Sequence, residues 1–347
     1  MSLAVVFGGN SYEHEISIVS AIALKKVVKK ELKFVFLDEK GLFWLIESTN
    51  MKSSYFAKHE YKKAKRLFLQ NGGFATHGMF GLKESGIDTV INLVHGGDGE
   101  DGTLASMFDF YGVKYVGPRA EASVLSFNKL YTKFLAEVCG VKALSYEVVK
   151  KSYRNSVKNT EYPVIVKPCR LGSSIGVSVV KSAKELDYAL DVAFEFDDAV
   201  LLEPFVENVR EFNVAGAKVK GEIVYSNIEE PKKDGYLDFE KKYLDFSRTE
   251  EVGAASVDEA LATRLKESFA KIYEFGFAGA IIRCDFFVID GEVYLNEVNP
   301  IPGSMANYLF HDFNSVLDGV LSSLPRPRRI AIDYKYINEI KSAKGKL

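Results

Sequence analysis

Residues 280–299 read AIIRCDFFVIDGEVYLNEVN, two apolar runs hinged on Asp290-Gly291. Strand-forming runs on either side of an Asp-Gly pair form a β-hairpin. Alternation then puts Arg283 and Asp285 on one face of the first strand, and Glu297 and Asn299 on one face of the second. Both runs are too apolar for a simple solvent face, so three oxygen donors are expected to meet. Hard oxygen ligands without His or Cys suit magnesium, which keeps waters and is shared with substrate phosphates. Parity constrains the turn, because a two-residue turn sets residues 289 and 292 opposite and sends Asp285 and Glu297 to opposite faces. The expectation is therefore an odd loop or a bulge, with three loop residues and Gly291 at positive φ as the simplest form.

Upstream, YPVIVKP (162–168), a Gly/Ser loop over 171–176, a strand at 177–181, a helix near 183–194 and AVLLEPF (199–205) form a compact α+β unit. Lys167 sits among apolar neighbours, so its ammonium needs a partner. A Gly/Ser loop offers backbone N–H groups to phosphate oxygens while Lys129 and Lys167 supply positive charge. GxxxxGK[ST] is absent, so this is not a Walker loop. Glu203 to Val206 (EPFV), with Phe205, lies where one unit ends and the next begins, a place for a nucleotide base. Glu211 can accept from ribose hydroxyls. The next unit starts with EFNVAGAKV and GEIVYSNI, joined at Lys220-Gly221. A polar stretch over 229–254 reads as a functional lid or a disordered loop. Ser256 with Glu259 reads as a capping box that opens a helix to about 275.

At the N-terminus, LAVVF (3–7) is a run buried on both faces, closed by Gly8-Gly9 and followed by helical spacing over 16–28. Further strands at 33–37, 42–46 and 88–94 alternate with helices, which predicts a doubly wound parallel sheet to about residue 118. A helix is expected over 120–138, ended by Gly140. Glu13 and His95 each follow the carboxyl end of a strand, where open α/β sheets form ligand crevices. The chain has 347 residues, enough for two or three domains. Its net charge of -2 offers no general field for nucleic acid or an anionic membrane. Three cysteines without CxxC spacing argue against a disulfide framework and a zinc site, and fit a reducing, cytoplasmic setting. No apolar run is long enough to span a bilayer, and the absent G-x-S-x-G elbow disfavours a serine hydrolase.

In order along the chain stand GGNSYEHEIS (8–17), LVHGGDGEDGTL (93–104), FNKLYTK (127–133), VIVKP (164–168) with RLGSSIGV (170–177), FEKKYLD (239–245), RCDFF (283–287) and LNEVNPIPG (295–303). Together they resemble the D-alanine–D-alanine ligase family of the ATP-grasp superfamily over about residues 1 to 320. The resemblance implies an N-terminal α/β domain (1–118), a small central ATP-grasp unit (119–205) and a large C-terminal unit (206–347) with a lid at about 229–254. It implies ATP held by Lys129, Lys167, Ser173, Glu203, Phe205, Val206, Glu211, Lys242 and Asn296. It implies two magnesium ions, with manganese as a substitute, on Asp285, Glu297 and Asn299. D-Alanine would meet Glu13, His95, Arg283 and Gly303, with Ser173 and Tyr243 ordering the first substrate and the lid. The implied chemistry is phosphorylation of one D-alanine and attack by the amine of a second, in a homodimer without nucleic-acid or membrane partners.

Three positions depart from the family pattern: Pro204 where Lys is usual, Leu171 where Glu is common, and Tyr308 where the PGMT-x-x-S-L ending carries serine. A tyrosine does not fit a serine's volume, so the ring is expected to point away or the backbone to shift, leaving Arg283 more of the second substrate's carboxylate. The expected consequence is a weak second subsite that still prefers D-alanine. The alternatives are a ligase using D-lactate or D-serine as second substrate, and a catalytically silent ATP-binding protein.

Overall fold

The computed structural model describes residues 2–157, 160–231, 249–325 and 330–344. The first sheet has eight strands in the order Gly81–Glu84, Gly73–Gly78, Lys65–Gln70, Phe43–Ile46, Lys33–Leu37, Leu3–Gly8, Thr89–Asn92, Lys114–Val116. Leu3–Gly8 pairs in parallel with Lys33–Leu37 and Thr89–Asn92, and Thr89–Asn92 with Lys114–Val116. Alternation within the central strand sorts its side chains. Leu3, Val5 and Phe7 pack under the helix His14–Val27, while Ala4 and Val6 face the helix Thr103–Tyr111. Both faces are thus covered, as doubly wound topology requires. The parallel part stops at four strands; the strand expected at 42–46 is present as Phe43–Ile46 but runs antiparallel, and it leads into three further antiparallel strands over 65–84 that the expected sheet did not include.

A four-stranded antiparallel sheet follows, ordered Glu147–Lys150, Ala199–Pro204, Val164–Pro168, Ser178–Val180, with the helix Ala183–Phe194 on its apolar side. The third sheet is ordered Glu222–Tyr225, Arg210–Val219, Ile282–Ile289, Glu292–Asn299, Lys142–Ala143. Its core also takes Ala122, Leu135 and Ala136 from upstream helices, so the chain lays down part of the third layer before the second sheet begins.

The helix expected over 120–138 is two helices, Ala120–Phe127 and Lys129–Val138. Asn128 breaks it with extended backbone, and its side chain accepts from the Leu130 N–H at 3.0 Å. The helix expected from Ser256 is Glu259–Gly276, capped by Asp258, whose carboxylate accepts from the Leu261 N–H at 2.7 Å. Met305, Tyr308 and Phe313 join Phe7, Ile18 and Ile91 in one apolar cluster, fastening the C-terminal unit onto the first sheet. No helix among the described residues is long and apolar enough to cross a membrane.

Candidate functional site

The hairpin sets the geometry. Asp290 and Gly291 form a two-residue turn at φ 51° and 77°, and pairing runs from Ile289↔Glu292 to Phe286↔Leu295. The next pairs are Asp285↔Glu297 and Arg283↔Asn299, so Asn296 is an extra residue in a β-bulge. The expected three-residue loop is therefore corrected: the bulge alone restores parity, and Gly291 has the positive φ. Val293, Leu295 and Val298 stay in the core, which leaves Glu297 and Asn299 beside Asp285. Asn213 lies opposite Asp285 on the neighbouring strand, with Glu211 two residues away on the same face.

Arg283 grips Asp285 with two hydrogen bonds, Nε to Oδ1 at 2.7 Å and Nη2 to Oδ2 at 2.8 Å, and Asn299 Nδ2 donates to Oδ2 at 3.0 Å. Burial raises the Asp285 pKa, Arg283 opposes the rise, and Glu297 and Glu211 add to it. Two carboxylates and an amide oxygen gathered on one face fit a hard divalent cation, which would relieve the repulsion between the acids. Arg283 Nη1 also donates to the Tyr308 hydroxyl at 3.3 Å. Tyr308 is buried and its hydroxyl meets Arg283, so of the two expected alternatives, a ring turned away or a shifted backbone, the first is corrected. It is carried by a 3₁₀ segment, Gly303–Leu309, in which Ser304, Met305 and Ala306 take φ of 48°, 57° and 51°. That backbone sets where the Gly303 N–H lies.

Around Lys129 and Lys167, Lys129 Nζ donates to the Leu171 carbonyl at 2.5 Å. Lys167 Nζ donates to Glu203 Oε2 at 2.5 Å and reaches Asn296 Oδ1, on the bulge, at 3.5 Å. The other Glu203 oxygen is paired with Lys133. Burial pushes the Glu203 carboxyl up, but Lys167 and Lys133 outweigh it and leave its pKa lowered. The Phe205 N–H is spent on the Pro163 carbonyl at 2.9 Å, and Val206 is half-buried beside it.

The third cluster joins the first sheet to the Gly/Ser loop. Ser173 Oγ donates to Glu13 Oε1 at 2.5 Å. A Cβ at Gly172 would lie 2.9 Å from Glu13 Oε1, and one at Gly96 2.7 Å from Oε2, so only glycines allow this approach. Burial raises the Glu13 pKa, and Glu100 adds to it. His95 is buried, with Nε2 3.0 Å from Ser20 Oγ and Nδ1 3.7 Å from Glu100 Oε1. Ser20 Oγ accepts from the Ser304 N–H at 2.5 Å, which ties His95 to the segment after Gly303. Burial pushes the Glu100 carboxyl up to about 8.

Burial drives the His95 pKa down to about 4, against an ordinary 6.5. The unfolded chain therefore binds more protons between these values, and stability contributed by neutral His95 is lost as pH falls from 6.5 to 4. The wild-type advantage in unfolding free energy over His95→Gln is expected to shrink by up to about 3 kcal/mol across that range. Urea titrations at pH 7 and 4 check it; a constant advantage contradicts a neutral buried His95.

Lys242, Tyr243 and most of the proposed lid lie outside the described residues. The ends of that stretch are anchored: Glu229 exchanges backbone hydrogen bonds with Asn213, and the Val252 N–H donates to the Tyr308 carbonyl at 2.9 Å. The sequence reading did not single out Lys133, Glu100 or Ser20. Lys133 had a signal, standing four residues after Lys129 on one helix face.

Family models described as the D-ala D-ala ligase N-terminus and C-terminus match residues 2–118 and 137–314. A D-alanine--D-alanine ligase of Campylobacter concisus is 57% identical over 345 residues, covering 99% of each chain. The Wolinella succinogenes protein of that name is 55% identical over 346 residues, covering all of both chains. The crystal structure of the Helicobacter pylori D-Alanine-D-Alanine Ligase superposes with a TM-score of 0.85 at 50% identity, covering 94% of this chain and all of that one.

Proposed function

The chain belongs to the D-alanine–D-alanine ligase family of ATP-dependent enzymes, and we propose that it makes D-alanyl-D-alanine for peptidoglycan through an acyl phosphate formed over the Arg283–Asp285 hairpin. A carboxylate oxygen of the first D-alanine attacks the γ-phosphorus of ATP, and ADP leaves. The amine of the second D-alanine attacks the acyl carbon, and phosphate departs with that oxygen while the amine loses a proton. The observation that carries the reading is the bulge at Asn296, which brings Asp285, Glu297 and Asn299 to one face beside Arg283.

Glu13, backed by Ser173, holds the first ammonium. His95 lines that subsite. Lys129 and Lys167 meet the phosphates, Glu203, Phe205 and Val206 the base, and Glu211 the ribose. Arg283 and the Gly303 N–H stabilise the tetrahedral oxyanion. Asp285, Glu297 and Asn299 would hold two magnesium ions, which supply charge neutralisation at the phosphates when bound, while Asn296, beside Lys167, would meet ATP. Lys242 and Tyr243 belong to a lid that excludes water, because acyl phosphates hydrolyse. Free thiols at Cys139, Cys169 and Cys284 fit a reducing, cytoplasmic setting, and the family resemblance suggests a homodimer as the working form.

D-Lactate and D-serine are not favoured as second substrates, given full-length relatives at 57% and 55% identity that carry the D-alanine name. The test is phosphate release from ATP, which is expected to require D-alanine and to match dipeptide formed; release independent of D-alanine contradicts the proposal. Tyr308→Phe keeps the ring and removes the hydroxyl that fixes Arg283. The KM of the second D-alanine is expected to rise about tenfold, the worth of one hydrogen bond to a charged group, with the ATP KM unchanged. Steady-state titration of both substrates checks it, and an effect confined to ATP contradicts it.

A further inference from the structure

Lys133 belongs to none of the roles assigned so far, yet it is one of the most buried cations in the molecule. It stands one turn after Lys129 on the helix Lys129–Val138. It is 5% exposed, and its partner Glu203 is 2% exposed. Glu203 is therefore a buried carboxylate between two ammonium groups, Lys133 on Oε1 and Lys167 on Oε2. The two lysines are not equivalent. Lys167 rises from the strand Val164–Pro168 at the mouth of the site and also reaches Asn296 on the metal hairpin. Incoming phosphates compete for it. Lys133 is enclosed and has no comparable route to them.

When Lys167 turns to phosphate, Glu203 keeps its charge only through Lys133, because a buried carboxylate without a cation takes up a proton. A carboxylate is acceptor-only, whereas a protonated carboxyl also donates. An adenine amine needs an acceptor. A 6-oxo purine presents an acceptor in its place and is rejected by one.

We propose that Lys133 is a positioning residue for base recognition: it holds Glu203 as a permanent acceptor and so sets the preference for a 6-amino over a 6-oxo purine. The inference rests on Glu203 being the base-contacting acid. Lowering of the Lys133 pKa by burial, which Glu203 resists, fits a charge retained only by this contact.

The experiment measures kcat and KM for ATP and inosine triphosphate at saturating D-alanine, on the full chain, for wild type, Lys133→Met, Lys133→Gln, Lys133→Arg and Glu203→Gln. Lys133→Met is expected to raise the ATP KM about tenfold with kcat little changed, and to cut the ATP-over-ITP preference in kcat/KM about tenfold. Lys133→Gln, which keeps a donor without the charge, should do the same if the methionine variant folds poorly. Lys133→Arg should restore both parameters. An unchanged preference in the uncharged variants, or an equal loss toward both nucleotides, overturns the inference. A preference that survives Glu203→Gln overturns the reading of Glu203 itself. One that falls in Glu203→Gln but not in the Lys133 variants overturns only the role of Lys133.

Discussion

Arg283→Met is expected to lower dipeptide formation about 10²- to 10³-fold, the scale of losing one preorganised oxyanion donor. The guanidinium has two tasks that the structure separates. Its Nε and Nη2 hold Asp285, while Nη1 reaches Tyr308. Removing it also leaves Asp285 buried without its cation, so stability should fall by about 3–5 kcal/mol, as for one half of a buried ion pair. Arg283→Lys keeps the charge but not the planar fork that spans both Asp285 oxygens. It should recover much of the stability and little of the turnover. Parallel denaturant melts and single-turnover assays check the split; a lysine variant with wild-type turnover contradicts the oxyanion role.

Glu13→Gln comes next in size. The carboxylate is buried, held by Ser173, and flanked by Gly96 and Gly172, so its replacement changes charge with almost no change in shape. An ammonium ion entering that pocket loses its counter-charge. The KM of the first D-alanine is expected to rise about 100-fold, a loss of about 2.7 kcal/mol, which is within the range for truncating one side of a desolvated charge pair. Because burial raises the Glu13 pKa, the wild-type KM should rise as pH falls toward it, and the glutamine variant should lack that dependence. Initial-rate titrations of D-alanine between pH 6 and 9 check both, and a KM within twofold of wild type removes Glu13 from the first subsite.

Much of this arrangement was legible in the sequence, because period and parity are rigid constraints. Burial of the central strand on both faces followed from LAVVF, and the need for an irregularity in the hairpin of Arg283 and Glu297 followed from counting across Asp290-Gly291. The position of that irregularity was also written there. Val293, Leu295 and Val298 break the alternation at Asn296, but a bulge and a longer loop satisfy the same parity until the register is seen. The meander over residues 65–84 was missed because its strands carry charges and Gly pairs and cover only one edge of the sheet. The helix break at Asn128 was hidden by apolar spacing that continues across it. Nothing local announces the left-handed run at Ser304, Met305 and Ala306, since none of these residue types favours positive φ. It is held by tertiary contacts such as Ser20 to the Ser304 N–H. The alternative of a Tyr308 ring turned away was left open for a related reason: the partner that orients the ring, Arg283, is distant in sequence.

The central claim is the acyl phosphate, and oxygen transfer tests it most directly. With D-alanine labelled at both carboxylate oxygens with ¹⁸O, the released phosphate is predicted to carry one ¹⁸O for each D-alanyl-D-alanine formed, because the bond to the acyl carbon breaks after that oxygen has joined phosphorus. Phosphate released without label, while dipeptide accumulates, would contradict the account.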